Sequence, residues 1–343
     1  MMSAAHPSLD ALPPLMRPWA QAALDPTVIP LEHRADCRAC PMVGDDDESF
    51  HATVRCCTYA PILTNFQAGA FFRRVDPRLE RGRQRLARRI RERAGVTPLG
   101  IDRPPAYPLW RAADEGRFGK DADLACGYLD ASDEHARCTV HEARNAVCAT
   151  WFCKHTRGAT GGRFWLTLRA FLTAMEESLA HHCLREIGVG DDALLALALE
   201  QDRPGQPPPP ALYAALWGER RFQEQRFYAE CHEWVEGLDG RAALALGGAT
   251  VDRHRRALLA AARALARAPL PEIVMLGPRV VSQRRGERIA LKTYRDSDPI
   301  VLRREELEAL SQCEGGSGAA AAERLGEARL RELLDHEVLV PAR

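Results

Sequence analysis

Eight of the eleven cysteines in this 343-residue chain fall between positions 37 and 153, as Cys37-x2-Cys40, the adjacent pair Cys56-Cys57, then Cys126, Cys138, Cys148 and Cys153. Thiolates are soft donors that select zinc, copper(I) or iron–sulfur clusters, and a tetrahedral centre takes four of them. Eight thiolates are therefore enough for two metals, or for one cluster and one ion. The competing reading is a disulfide framework, which suits small secreted domains with too little core. The opening MMSAAHPSLDALPPLMRPWA has no basic segment followed by a continuous apolar stretch, so the expectation is a protein without signal peptide or membrane anchor, kept in the reducing cytoplasm. Clustered cysteines in that compartment point to metal or catalysis.

Spacing sets the geometry such a site would need. Cys37-x2-Cys40 lets two thiolates converge on one ion from a tight turn, whereas Cys56 and Cys57 would point apart in extended chain, so one of them is expected to face a second metal. Several thiolates together need compensating charge. Arg144, Lys154, His155 and Arg157 lie close enough in sequence to donate hydrogen bonds to sulfur or to a bound cofactor. His141 and His155 are alternative ligands, although histidines more often serve as ordinary polar residues. The acidic run Asp45-Asp-Asp-Glu48 reads as an exposed loop, with weak candidates for a hard cation.

The other three cysteines sit on apolar stripes. Phe164, Leu168, Phe171, Met175, Leu179 and Cys183 repeat every three or four residues, as do Phe227, Cys231, Trp234 and Leu238, and then Leu307, Leu310 and Cys313. That is helical spacing, and it predicts Cys183, Cys231 and Cys313 as core thiols.

The elements that must position the eight thiols are mostly helices. Hydrophobic residues make up 46% of the chain, enough for real cores in two or three domains. Lysine plus arginine equals aspartate plus glutamate at 47 each, which provides no overall field toward nucleic acid or an anionic membrane. Charge is uneven, however. Ten arginines lie between Arg73 and Arg93, and the stripe Phe72, Val75, Leu79, Leu86, Ile90 predicts one amphipathic helix there, started by Asp76-Pro77, with a solvated basic face or a docking surface for an acidic partner or nucleic acid.

Four regions follow. Residues 1–30 are proline-dotted and read as a loosely held lead-in, and 31–160 form the Cys-rich region. Residues 161–270 are helical, with helices expected at 163–187, 191–201, 211–238 and 251–267 and a proline-rich extended connector at 203–210. In 271–343, Arg279-Val-Val-Ser-Gln and Arg288-Ile-Ala-Leu-Lys-Thr-Tyr294 predict a hairpin around Arg-Arg-Gly-Glu, followed by helices near 303–313, 318–326 and 327–337 and a short strand at Leu339-Val340. The fold class expected is mainly α, with an irregular Cys-rich metal-binding region and a small α+β winged-helix-like module at the C-terminus.

Two family resemblances carry this further. Cys126-Gly-Tyr-Leu-Asp, Arg137-Cys-Thr-Val-His141, Ala143-Arg-Asn-Ala-Val-Cys148 and Trp151-Phe-Cys153, together with the earlier Cys-x2-Cys and Cys-Cys, resemble the YkgJ family of cysteine-cluster proteins over residues 35–155. The resemblance implies zinc or iron chelation. Asn145 stands where the family has proline, His141 where it has tyrosine, and an insertion separates Cys40 from Cys56. The C-terminal region 271–343, through Tyr294, Asp298-Pro-Ile-Val-Leu302, Leu310, Glu314-Gly-Gly316 and Leu333-Leu334, resembles the small winged-helix modules related to PqqD. This resemblance implies a peptide or protein partner; a structural cap is the plainer alternative.

The chain has no Cys-x3-Cys-x2-Cys, His-Glu-x2-His, Gly-x4-Gly-Lys-Ser/Thr or Gly-x-Gly-x2-Gly. Gly158-Ala-Thr-Gly-Gly162 reads as a flexible loop before a helix, or as a set of amides for an anion. Two functional classes remain: a redox or protein-modifying enzyme with an iron–sulfur cluster, and a non-enzymatic adaptor with structural zinc and a C-terminal peptide- or nucleic-acid-binding module.

Overall fold

A computed structural model of the chain describes residues 7–24, 29–36, 39–44, 49–73, 76–103, 116–132, 136–187, 208–266 and 268–342. The expected helix at 191–201 and the acidic run 45–48 lie outside the described residues, as do Cys37 and most of the proline-rich connector. The chain is mainly α with small antiparallel sheets and divides into two compact units, each assembled from separate stretches. Met1–Pro26, Met42–Thr150 and Arg169–Arg256 form the first, and Thr27–Pro41, Trp151–Leu168 and Ala257–Arg343 the second.

In the first unit, the expected lead-in is core. Pro14 opens a 3-10 turn (Pro14–Met16) and Pro18 is the second residue of helix α1 (Arg17–Leu24), first-turn positions where a missing amide hydrogen costs nothing. Leu12, Met16, Trp19, Ala20, Ala23 and Leu24 are buried, and Trp19 meets Phe66 edge to face at 6.0 Å. Phe66 belongs to α2 (Asn65–Arg73), which packs on α3 (Glu224–Glu236). A three-stranded antiparallel sheet of two-residue strands, Leu63–Thr64, Gly100–Ile101 and Val96–Thr97 in that order, closes over them. Tyr228 secures it by donating to Thr97 O at 2.7 Å and Gly100 O at 3.0 Å. Cys183 and Cys231 are fully buried in this unit, as their stripes predict.

The basic segment differs from the single helix expected. Asp76 caps a short 3-10 turn (Pro77–Leu79) by accepting from Arg78 N, and α4 (Glu80–Glu92) follows. Its arginines are largely used inside the unit: Arg81 with Asp130 and Ser132, Arg83 with Glu80, Arg85 with the carbonyls of Gly127 and Leu129, Arg89 with those of Ala94 and Asp102. The free basic face expected from sequence is thereby reduced. Gly82 permits this docking, because a Cβ there would meet Thr139 O at 2.4 Å.

In the second unit, a hairpin of β1 (Val281–Arg285) and β2 (Arg288–Lys292) forms as expected, in the register Val281↔Lys292 through Arg285↔Arg288. Two strands were not foreseen: β3 (Ile300–Arg303), which extends the hairpin, and Val274–Leu276, which pairs antiparallel with Leu339–Pro341. Helices Arg304–Ser311, Gly318–Leu325 and Glu327–Asp335 fall where expected, and their apolar faces join Val274, Leu291, Ile300, Leu302, Leu310, Cys313, Leu330, Leu333 and Leu339 in one core. The glycine-rich stretch 158–162 corrects the sequence reading: it is the first turn of a helix running Gly158–Ile187, rather than a loop before it. Gly158 has φ +47°, and a Cβ there would lie 2.4 Å from the His336 ring.

Candidate metal centre

Backbone hydrogen bonds draw the thiols of the first unit together. The turn that carries Cys56 and Cys57 is pinned to residues 117–126: His51 N donates to Gly119 O (2.8 Å), Gly119 N to Thr58 Oγ1 (3.0 Å), and Cys126 N to Cys57 O (2.7 Å). From Cys126 the chain turns into a short antiparallel ribbon, Leu129–Asp130 against Arg137–Cys138, with Leu129 opposite Cys138. Tyr128 N reaches back to Cys126 Sγ at 3.5 Å. Cys148 lies in a four-residue helical turn (Ala146–Ala149) capped by Asn145, whose Oδ1 accepts from Cys148 N at 3.0 Å. Asn145 thus serves as a cap at the position where the YkgJ-like pattern has proline.

All five thiols are half-buried and free. Burial pushes the Cys126 thiol up to about 11, with Cys138 adding to the rise, and burial likewise raises Cys138. Cys148 rises well above its ordinary value through burial and the neighbouring Cys126, Cys138 and Cys56. Cys56 rises most through its hydrogen bond with Cys57 and then through burial. The adjacent pair therefore does not point apart as extended chain would require. The two residues sit in a turn, next to Arg55 held at φ +48°, with their thiols in contact.

Three cations act on these sulfurs: Arg55 on Cys56, and Arg144 and Arg85 on the others. Arg144 offsets charge at Cys138 and Cys148, while its donors hold His141 Nε2 (2.8 Å) and Ala11 O (2.6 Å). Arg85, which sequence spacing does not single out among ten arginines, sits beside Cys126 and Cys138 while holding the carbonyls of the intervening loop. Only the three-dimensional placement of α4 marks it.

The remaining sequence candidates belong to the second unit. Cys40 and Cys153 are there, both half-buried. Lys154 donates to Ser297 O (3.1 Å), and Arg157 binds Asp335 (2.7 Å) and Leu265 O (2.7 Å). His155 is 1% exposed, and its N donates to Asp298 Oδ2 (3.0 Å) while Nδ1 meets Tyr294 Oη (3.1 Å). Tyr294 donates to the same carboxylate oxygen. Arg34 Nη2 lies 2.9 Å from Asp298 Oδ1, off the line of a hydrogen bond, so that attraction is purely ionic. Burial and the charge of Arg295 lower His155 to about 4, and burial lowers His336, which keeps both imidazoles neutral.

Among the described residues, no group of three or more His, Cys, Asp or Glu side chains is arranged to hold a metal ion. Electrostatic influence nevertheless runs from Cys57 to Cys56, from Cys138 to Cys126, and from Cys126, Cys138 and Cys56 to Cys148, and Cys126 N is bonded to Cys57 O. Both facts hold together. The donor type and neighbourhood fit a soft cation, whereas the coordination geometry is not formed. Compared with known proteins, the chain matches no family model, no curated protein and no solved structure. No helix among the described residues is long and apolar enough to cross a membrane.

Proposed function

We propose that this is a thiolate metal-binding protein of the YkgJ type, taking zinc or an iron–sulfur cluster in the cytoplasm, with Cys56, Cys57, Cys126, Cys138 and Cys148 as the heart of its donor set. The observation that supports this reading is the half-burial of five thiols from three separate stretches, with Cys126, Cys138 and Cys56 all adding to the rise of Cys148. Burying ionisable groups beside one another costs stability unless a cation compensates them. A soft divalent metal would supply that charge and hold the thiolates. Arg85 and Arg144 would orient the sulfurs and balance what charge remains. Cys37, Cys40 and Cys153 extend the proposed set on sequence pattern alone.

The C-terminal module is proposed to be winged-helix-like and to dock a peptide or protein. The supporting feature is β1, an edge strand whose Val281 is 61% exposed. Elemental analysis and an optical spectrum of protein purified without oxygen test the central reading. Iron with sulfide and visible absorbance supports the redox or modifying enzyme, and zinc alone supports the adaptor. Protein that neither carries metal nor takes it up on reconstitution overturns the reading.

A further inference from the structure

Glu176 is a carboxyl group where the helix stripe calls for apolar surface. It sits on Gly158–Ile187, next to fully buried Met175, and is itself 5% exposed. Its Oε1 accepts from Gln67 Nε2 at 2.6 Å and from Ala146 N at 2.7 Å. Gln67, 2% exposed, accepts in turn from Thr64 N (3.0 Å) and Thr64 Oγ1 (3.1 Å), which anchors the chain of bonds to the three-stranded sheet. At its other end is the turn Ala146–Ala149, which carries Cys148.

A free amide at the start of a helical turn needs an acceptor, and water or the local side chain usually supplies one. Asn145 already does this for Cys148 N. The second acceptor comes instead from a carboxyl buried in the core, a costly choice for closing one turn. Burial raises Glu176 to about 8, so it is largely neutral near pH 7 and places no negative charge beside the thiols.

We propose that Glu176, braced by Gln67, is a positioning residue that fixes the Cys148 turn so that its thiol faces Cys126 and Cys138. The inference rests on the metal-binding reading for its purpose, but the placement of Cys148 can be measured without metal. Two readouts on the full chain separate them. In reduced, metal-free protein, the alkylation rate of each thiol is followed by mass spectrometry. In a parallel series, Co(II) is titrated in and thiolate-to-cobalt absorbance counts the coordinating sulfurs.

Glu176→Leu is expected to alkylate faster at Cys148 by about tenfold, with Cys126 unchanged, and to bind Co(II) about tenfold more weakly with one thiolate fewer, a typical cost for losing a group that orients a ligand. Glu176→Gln, which keeps a carbonyl acceptor, is expected to restore both readouts. Cys148→Ser is expected to reproduce the Co(II) spectrum of Glu176→Leu. An unchanged Cys148 alkylation rate in Glu176→Leu overturns the inference. A wild-type chain that takes up no Co(II) overturns the metal reading, while the alkylation series still decides the role of Glu176. If Glu176→Leu does not fold, Gln67→Leu carries the test: faster Cys148 alkylation supports the bracing role, and an unchanged rate overturns it.

Discussion

The two units both bury polar side chains, but they settle the cost in opposite ways. Around His155 in the second unit, each buried group has a partner: Asp298 receives the His155 amide and the Tyr294 hydroxyl and faces Arg34, while Arg34 also donates to His155 O at 3.2 Å and approaches His336 Nε2 at 3.3 Å. In the first unit, Cys57 raises the Cys56 thiol, Cys138 adds to the rise of Cys126, and Cys126, Cys138 and Cys56 add to that of Cys148. A satisfied network holds a fold together. The candidate site is drawn around the thiols, and not around the more catalytic-looking histidine and tyrosine, because the latter are already engaged with each other and with Asp298.

Titration breaks the comparison most sharply. The folded-state value of Glu176 lies above its ordinary 4.5, at about 8, so the stability it contributes to the first unit is full below pH 4.5 and is lost as pH rises through 8. At 1.36 kcal/mol per unit this amounts to about 5 kcal/mol. His155 has the opposite sign. Its folded-state value falls from 6.5 to about 4, so its contribution is full above pH 6.5 and is lost as pH falls through 4, on the order of 3 kcal/mol. Hydrogen exchange on metal-free protein, corrected for intrinsic rates, should therefore show the first unit gaining protection and the second losing it between pH 7.5 and 5. Parallel behaviour of the two units would remove the contrast.

Next in size is the network itself. Asp298→Ala leaves Arg34 and Tyr294 facing an empty carboxylate site and should cost about 3 to 5 kcal/mol, as removal of one partner from a buried pair does. The loss should appear in denaturant unfolding and in protease sensitivity near 151–156 and 293–298. Cys138→Ser in metal-free protein removes a group that already carries a burial penalty, and should cost well under half of that. Zinc reverses the ranking: at free zinc a hundredfold above its dissociation constant, wild type should gain about 3 kcal/mol, and Cys138→Ser much less. Equal zinc stabilisation of the two proteins would exclude Cys138 from the donor set.

What could be read from sequence is what depends on near neighbours along the chain. The stripe ending in Cys183, the capping by Asp76 and the 281–292 hairpin are periodicity and turn chemistry, and they appear in the structure. What could not be read depends on distant pairing. The approach of Cys57 to Cys126 is a peptide hydrogen bond, which no side chain announces. Arg85 differs from its neighbouring arginines only in the face it occupies, and Glu176 falls at a buried helix position without any local sign of its partners Gln67 and Ala146. Prolines 14 and 18 suggest a loose segment because local reasoning sees a chain-breaker, whereas within the first turn of a helix proline is a starter. The interleaving of the two units follows from long-range contacts and has no local signature at all.

The smallest expected effect is the most discriminating control on the thiol cluster. Cys183 and Cys231 are as free and as cysteine-rich a neighbourhood as Cys56 and Cys57, with Cys183 Sγ 3.9 Å from Cys231 O and burial raising the Cys231 thiol. They differ in being fully buried among apolar side chains, whereas Cys56 and Cys57 are half-buried. Such thiols act as small hydrophobic groups. Cys183→Ala or Cys231→Ala should cost only about 1 kcal/mol through the small cavity left behind. Metal content, and the optical spectrum of cobalt-loaded protein, should match wild type. If either variant lost metal, proximity of thiols alone would be shown not to distinguish packing from ligation here, and the assignment of Cys126, Cys138 and Cys148 would need to rest on their own substitutions.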